Sequence, residues 1–102
     1  MIQKTMDLLL VISSADATKI AAPLGEACAR NDVDWGCFFT GDGVKTLADE
    51  DFSDLVASNC EEAVVCAEAW KDHMAGQDCP VDLGSQFHHS GLVAKADKVV
   101  SL

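Results

Sequence analysis

Short apolar runs recur along the chain and are separated by longer stretches of mixed polarity. The first run, Met6 to Ser13 (MDLLLVIS), is continuous, which is typical of a strand that is buried on both faces of a sheet. Val, Leu and Phe also fill the centres of the later runs. The pattern predicts strands at residues 6–13, 33–40, 62–66 and 98–102.

The segments between these runs show the spacing of apolar residues that helices require. Residues 13–16 supply types that often begin helices, and apolar or small residues then recur over residues 20–28. Within that pattern, Pro23 marks either a kink or the first turn of a later helix. Residues 41–43 predict a turn and residues 76–80 a loop. Further helices are predicted at residues 44–48, 52–58, 67–74 and 85–96.

This alternation of strands and helices predicts βαβ units. The chain has 102 residues, enough for one domain, residues 1–102, with a parallel sheet and helices on both faces. We therefore expect an α/β fold. In such folds ligands and catalytic groups collect beyond the carboxyl ends of the strands, so the residues that follow each strand are the first candidates for a site.

The charge balance limits the classes of partner. The chain has a net charge of −10 and only seven Lys and Arg residues. Nucleic-acid binding depends on basic residues that displace counterions, so we expect no nucleic-acid partner. An anionic membrane surface is disfavoured as well. The acidity favours solubility or docking to a basic partner.

The chain also lacks sequence features of membrane and secreted proteins. No apolar run approaches the roughly 20 residues of a membrane-spanning helix. Residues 1–4 do not begin a signal peptide, since no basic start leads into an apolar stretch. The five cysteines, an odd number with no CxxC pair, predict neither a disulfide framework nor a zinc knuckle. We expect a soluble cytoplasmic protein with no membrane partner.

Cys66 is the main candidate for chemistry. Among the residues at the ends of the predicted strands, it is the one with a strongly nucleophilic side chain. It lies between a strand and a helix, where the helix dipole and free backbone N–H groups favour a thiolate. Glu61, Glu62 and Glu68 act against a second negative charge there. The alternative is a small buried residue that ends a strand, a common place for a free cysteine.

The other residues that follow the strands are candidates for the rim of the site. The sequence Gly-Asp-Gly at residues 41–43 is too short for a phosphate loop, so it predicts a tight turn at the rim. Ser13 and Ser14 form either part of a backbone nest or the cap of the first helix. The proposed rim consists of Ser13, Ser14, Gly41, Asp42, Gly43 and Ala67.

The histidines are candidates for a base near the thiol. His73 lies about two helical turns, or roughly 10 Å, after Cys66, which disfavours direct contact. His88 or His89 could act on Cys66 as a base or ligand, within the fold or across a subunit interface. Adjacent histidines diverge on a helix, so at most one serves a given site, and we include His88 as the candidate. Cys66, His73 and Cys79 do not have the spacing of zinc sites, so we expect no metal.

The remaining cysteines are weaker candidates. Cys28 falls on the apolar face of the first helix and Cys37 inside a strand, so both are predicted to be core residues. Cys60 lies in a predicted turn and is expected to be exposed. Cys79 precedes a proline in a loop, and it is either a resolving thiol for Cys66 or a plain loop residue.

Four segments together resemble a known family. These segments are DLLLVISS, WGCFFTGDGVKTLADE, VVCAEAWKDHM and VDLGSQFHHSGLVAKADKVVSL. In order and in chain length they resemble the DsrE/DsrF-like family of small sulfur-relay proteins, which includes TusD-type subunits. The resemblance covers nearly the whole chain. It places Cys66 where the family's persulfide-carrying cysteine ends the third strand, and it reads the last segment as an edge segment, a helix and a closing strand.

The resemblance implies both a structure and a chemistry. The implied structure is a three-layer α/β sandwich with a mostly parallel sheet of about five strands, assembled as a trimer, a hexamer or a larger complex. The implied chemistry is the transfer of sulfane sulfur, carried on Cys66 as a persulfide, from a donor protein to an acceptor protein. Such a sulfurtransferase needs no cofactor and no metal.

Two other classes of function remain open at this point. In the first, the protein is a non-catalytic assembly or docking subunit and Cys66 is a packed thiol. In the second, it is a redox sensor in which Cys66 pairs with Cys60 or Cys79.

Overall fold

One all-parallel sheet forms the centre of the structure, a computed structural model that describes residues 5–102. Its strands are β1 (Met6–Ile12), β2 (Trp35–Phe39), β3 (Glu62–Cys66), β4 (Asp82–Gly84) and β5 (Ala96–Ser101). The α-helices are α1 (Thr18–Arg30), α2 (Glu50–Asn59), α3 (Ala67–His73) and α4 (Gln86–Lys95), and the 3₁₀ helices are Ala15–Ala17 and Gly41–Ala48. None of these described helices has both the length and the apolarity for a membrane crossing. The expectation for residues 1–4 lies outside the described residues.

The strand order β4-β3-β2-β1-β5 explains how both faces of the sheet are covered. From β1 to β4, each new strand is added on the same side of the last one, whereas α4 carries the chain back so that β5 lies beside β1. Because such crossovers are right-handed, α1, α2 and α3 lie on one face and α4 lies on the other. The predicted α/β fold, with three layers and about five mostly parallel strands, is confirmed.

The first face, under α1, α2 and α3, holds the larger core. From the sheet it buries Leu10, Ile12, Trp35, Cys37, Phe39 and Val65. The helices add side chains that include Ala21, Cys28, Phe52, Val56 and Trp70. The buried indole of Trp35 keeps its hydrogen bond, because Nε1 donates to Asn59 Oδ1 at 2.8 Å.

The second face, under α4 alone, holds a smaller core. Its buried members are Met6, Leu9, Phe38, Val64, Leu92 and Ala96. His89 extends the cover by stacking on Phe38, with ring centroids 4.8 Å apart. Lys95 Nζ donates to Glu62 Oε1 at 2.9 Å, which ties the end of α4 to the start of β3. Among the described residues, the ten-residue helix α4 therefore covers this face of the sheet.

Several predicted boundaries change because elements follow one another without a loop. The predicted strand 98–102 begins earlier, at Ala96, because β5 pairs with Met6 of β1 directly after α4 ends. Helix α1 runs unbroken through Pro23, whose ring is exposed and needs no space in the core. Strand β4 has three residues, too few for a hydropathy pattern, and it takes the place of the edge segment that the family resemblance implied.

The segment 41–48 also differs from the prediction of a turn followed by a short helix, since it forms one 3₁₀ helix that begins at Gly41. Gly41 has a φ of 53°, a conformation that favours glycine. Gly43 is required for a different reason. A Cβ atom there would overlap the Ile12 carbonyl group and lie 2.8 Å from Ser13 N. The two glycines therefore let this helix pack directly on the end of β1.

We predict that Gly43→Ala lowers the free energy of unfolding by about 2 to 3 kcal/mol, because the new methyl group forces the helix away from β1. The matched control is Gly91→Ala in α4, where an added Cβ meets nothing within 4 Å. That change should raise the free energy of unfolding by about 0.5 to 1 kcal/mol through helix propensity. Urea unfolding followed by circular dichroism measures both. Equal stability of the Gly43→Ala variant and the parent chain would contradict the close packing.

Candidate functional site

Cys66 occupies the point where β3 ends and α3 begins. It is the last residue of the strand and the N-cap of the helix, with an extended backbone (φ −60°, ψ 116°). Its side chain makes no capping hydrogen bond to the helix. It is partly exposed and packs against the cores of both faces. The thiol therefore stands at the carboxyl edge of the sheet with its sulfur free of a capping role.

A cavity of about 340 Å³ opens beside this thiol. Its lining comes from the ends of two neighbouring strands and the first residues of the helices that follow them. The lining residues are Cys66, Ala67, Glu68, Gly84, Ser85 and Gln86. Because β3 and β4 are parallel and adjacent, their carboxyl ends meet here, the position where α/β folds commonly bind ligands.

Strand β4 forms the far wall of the cavity. Gly84 is the residue that pairs with Cys66 across the two strands. A Cβ atom on Gly84 would lie 2.6 Å from Val64 Cγ1 and 2.8 Å from His88 Nδ1. A glycine at this position therefore allows the His88 ring to lie close to β4.

His88 uses its ring to cap α4. Ser85 N donates to His88 Nδ1 at 3.0 Å and the Ser85 side chain accepts from the backbone of His88, so the two residues form a capping box, while Ser85 Oγ also accepts from Phe87 N. Because Nδ1 accepts this hydrogen bond, the proton of the neutral imidazole lies on Nε2. His88 also lines a neighbouring cavity rather than the one at Cys66. The structure therefore gives His88 a positioning role next to the site, as the cap of the helix that begins there.

The electrostatics at Cys66 combine two opposing effects. The cavity lies at the first turns of α3 and α4, where backbone N–H groups and the helix dipole favour negative charge. Glu68, in the first turn of α3, lines the same cavity and brings a carboxylate. The helix starts and the Glu68 carboxylate therefore act in opposite directions on negative charge in this cavity.

The predicted rim residues fall into a separate group at the ends of β1 and β2. Thr40 N donates to Ile12 O at 3.0 Å, and Gly41 and Gly43 pack against the end of β1. Ser13 Oγ donates to Leu102 O at 3.1 Å, which turns it toward the end of β5. Ser14 caps the first 3₁₀ helix, since its Oγ accepts from Asp16 N. Of the predicted rim, Ala67 lines the cavity at Cys66.

Asp42 connects the predicted rim to α3. Its Oδ1 lies 3.5 Å from His73 Nε2 and 3.7 Å from Lys45 Nζ. His73, which the helical spacing placed away from Cys66, thus faces the 3₁₀ helix rather than the thiol. Because the Asp42 side chain is 58% exposed, both contacts lie at the surface and contribute little to stability.

The other cysteines are distributed through the first-face side of the fold. Cys28 and Cys37 are buried, as predicted. Cys60, expected to be exposed, is partly buried because its S–H group faces backbone carbonyl oxygens. It precedes the first residue of β3 and Cys66 is the last, so the strand keeps them roughly 13 Å or more apart. A disulfide between Cys66 and Cys60 within one chain is therefore incompatible with this fold.

Three lining residues escaped the sequence analysis: Gly84, Ser85 and Gln86. The available signal was Ser85, the first residue of the predicted helix 85–96 and a residue type that often caps helices, but nothing in the sequence indicated that a strand ends there beside β3. Among residues 5–102, no group of three or more His, Cys, Asp and Glu side chains is placed to hold a metal ion.

Comparison with known proteins leaves the family open. No protein-family model matches the chain, and no curated protein matches it either. The resemblance to DsrE/DsrF-like proteins therefore remains a prediction, and function has to be argued from the site.

We predict a distinct pH dependence for alkylation of Cys79. Burial raises the pKa of this thiol, partly offset by a hydrogen bond with the Val81 backbone. A raised pKa means less thiolate at a given pH. The alkylation rate of Cys79 in the folded chain should therefore keep rising at a pH where the rate in the urea-unfolded chain has levelled off. Peptide-resolved mass spectrometry measures both rates, and superimposable pH profiles would contradict the prediction.

Proposed function

We propose that the protein is a sulfur carrier that holds sulfane sulfur as a persulfide on Cys66 and passes it between protein thiols in the cytoplasm. The observation that carries the proposal is the position of Cys66, at the open carboxyl edge of a parallel sheet and in the wall of a cavity. A carrier thiol must be reached by a second thiol, and Cys66 is partly exposed.

The proposed transfer balances without an oxidant. The Cys66 thiolate attacks the outer sulfur of a donor persulfide, an S–S bond forms at Cys66, and the donor's S–S bond breaks to release the donor thiolate. An acceptor thiolate then attacks the outer sulfur on Cys66 and restores the Cys66 thiolate. Because the Cys66 side chain makes no capping hydrogen bond, the first turn of α3 keeps backbone N–H groups that favour negative charge beside the reacting sulfurs.

The surface around the cavity favours protein partners over small molecules. Leu83 and Phe87 flank the lining segment Gly84–Gln86 in sequence, and they expose 53% and 83% of their areas. A docked donor or acceptor protein, or another copy of this chain, would cover such side chains as it brings its thiol to Cys66. The net charge of −10 adds a preference for basic partners.

The same exposed residues support a second candidate function, a docking subunit without carrier chemistry. That function needs Leu83 and Phe87 but not a reactive Cys66. Loading of Cys66 with sulfur therefore separates the two.

We predict that incubation of the reduced protein with a small persulfide donor adds about 32 Da, one sulfur atom, to the intact mass. Cys66→Ser should abolish this gain. The matched control is Cys60→Ser, which removes a partly buried thiol from the other end of β3 and should leave the gain intact. A folded native chain that gains no sulfur, or one that still gains it as Cys66→Ser, would exclude the carrier function and favour the docking subunit.

A further inference from the structure

Exposed apolar side chains are concentrated at the β5 edge of the sheet, away from the cavity at Cys66. Among residues 5–102, six large apolar side chains are exposed. Two of them, Leu83 and Phe87, flank the cavity lining. The other four lie in β5 itself or in α1 and α4: Ile20, Val93, Val99 and Val100. The proposed sulfur transfer uses none of these four.

Strand β5 exposes one apolar side chain on each face of the sheet. Val99 pairs with Leu9 of the second-face core, and Val100 pairs with Leu10 of the first-face core. Since paired residues of neighbouring strands point to the same face, Val99 lies on the second face and Val100 on the first. They expose 43% and 37% of their areas. A neighbour that covers both must therefore meet the strand at its edge.

Helices α1 and α4 each turn an exposed apolar side chain toward the same side of the molecule. Lys95 of α4 lines a cavity against β3. Val93, two residues earlier and thus about 200° around the helix, lies on the opposite flank. Gly25 of α1 faces α2, and Ile20, five residues earlier and about 140° around, lies on the flank turned away from α2. Because β1 and β5 lie on that side of the sheet, Val93 and Ile20 extend the apolar edge on its two faces.

The backbone of β5 directs alternate residues away from the sheet. Leu102 N donates to Val11 O, and Leu102 O accepts from Ser13 N, so both groups of Leu102 face β1. In a parallel pair, every second residue of a strand bonds to its neighbour in this way. Val100 and Lys98 therefore also face β1, and the residues between them point their N–H and C=O groups outward.

These outward-facing residues are Asp97, Val99 and Ser101. β5 is the last strand of the sheet, so the described part of the chain offers no further strand to pair with them. The opposite edge, β4, is only three residues long, whereas β5 has six residues and contains no proline. Short strands and prolines are common devices that keep a sheet edge from pairing. The β5 edge has neither of them.

We propose that β5 pairs with β5 of a second copy of this chain, antiparallel and about a two-fold axis at Val99. In this register Val99 lies opposite Val99 of the partner subunit, and Asp97 lies opposite Ser101 of the partner subunit. Each opposed pair of outward-facing residues exchanges two backbone hydrogen bonds. The Ser101 hydroxyl group also donates to the carboxylate across the axis. The two sheets become one continuous sheet through a symmetric dimer.

This register is favoured over its neighbours by charge and by pairing. An axis at Lys98 would place two ammonium groups directly opposite each other, which destabilises a strand pair. An axis at Val100 would leave Asp97 beyond the end of the partner strand, since β5 ends at Ser101. The axis at Val99 pairs all three outward-facing residues.

The charge of the edge favours a second copy over a basic protein. β5 contains one acidic and one basic residue, Asp97 and Lys98, so the strand carries no net charge although the chain carries −10. A basic partner gains no local attraction here, whereas a second copy matches the strand residue by residue. The cavity at Cys66 stays open in both copies, because β3 and β4 lie at the other side of each sheet.

The test is sedimentation of the full chain under reducing conditions at about 0.1 mM, where a micromolar dimer is assembled. We expect twice the mass of one chain. Val99→Lys places two like charges at the axis and should halve the mass. The matched control is Leu83→Lys, which adds the same charge to an exposed side chain at the other edge and should leave the mass unchanged. Circular dichroism checks that both variants are folded.

A cross-link tests the register independently of charge. Val99→Cys brings two thiols opposite each other, with Cα atoms about 5.5 Å apart, a separation that a disulfide spans. Mild oxidation should give a covalent dimer joined at residue 99 in both copies. Leu83→Cys, treated in the same way, should give no link at residue 83.

Salt distinguishes this dimer from an ion-paired complex. Because both copies carry −10, the dimer should tighten as NaCl rises from about 20 to 300 mM. A monomer at about 0.1 mM, or an assembly whose mass Val99→Lys leaves unchanged, would overturn the proposal. So would loss of the assembly in Leu83→Lys, a link at residue 83 instead of 99, or weakening with salt. None of these results depends on whether Cys66 accepts sulfur.

Discussion

Burial of β2 on both of its faces is the constraint on which the rest of the structure depends. All of its residues, Trp35–Phe39, are buried, and it is the middle strand of the sheet. Such a strand is stable only when helices cover both faces. The first three crossovers cover one face, and the return of the chain through α4 covers the other. The reversal that places β5 beside β1 is thus the step that completes the core.

Helix α4 links the core to the candidate site. Its body supplies Leu92 to the second-face core and stacks His89 on Phe38, while its first turn and Ser85 form one wall of the cavity at Cys66. Gly84 allows this arrangement, because His88 lies close to the strand where a side chain would otherwise stand. The helix that covers the second face therefore also sets the position of the cavity wall.

The two ends of β3 place the same functional group in different surroundings. Cys66, at the carboxyl end, lies at a cavity and beside helix starts that favour an anion. Cys60, just before the amino end, faces the backbone carbonyl oxygens of Trp35 and Glu62. The Cys66 thiol makes no capping hydrogen bond, whereas the Cys60 thiol is engaged by the backbone. The length of β3 keeps the two thiols apart within one chain.

The sequence by itself determined the alternation of strands and helices and the position of Cys66 between a strand and a helix. Both features follow from the spacing of hydrophobic and polar residues within single segments, because that spacing alone distinguishes a buried strand from an amphipathic helix. Only the tertiary structure decided that Gly84 pairs with Cys66 and that His88 caps α4 rather than acting on the thiol. These contacts depend on strand order and on the direction of the crossovers, and hydrophobic patterns within one segment contain no information about which distant segment lies beside it.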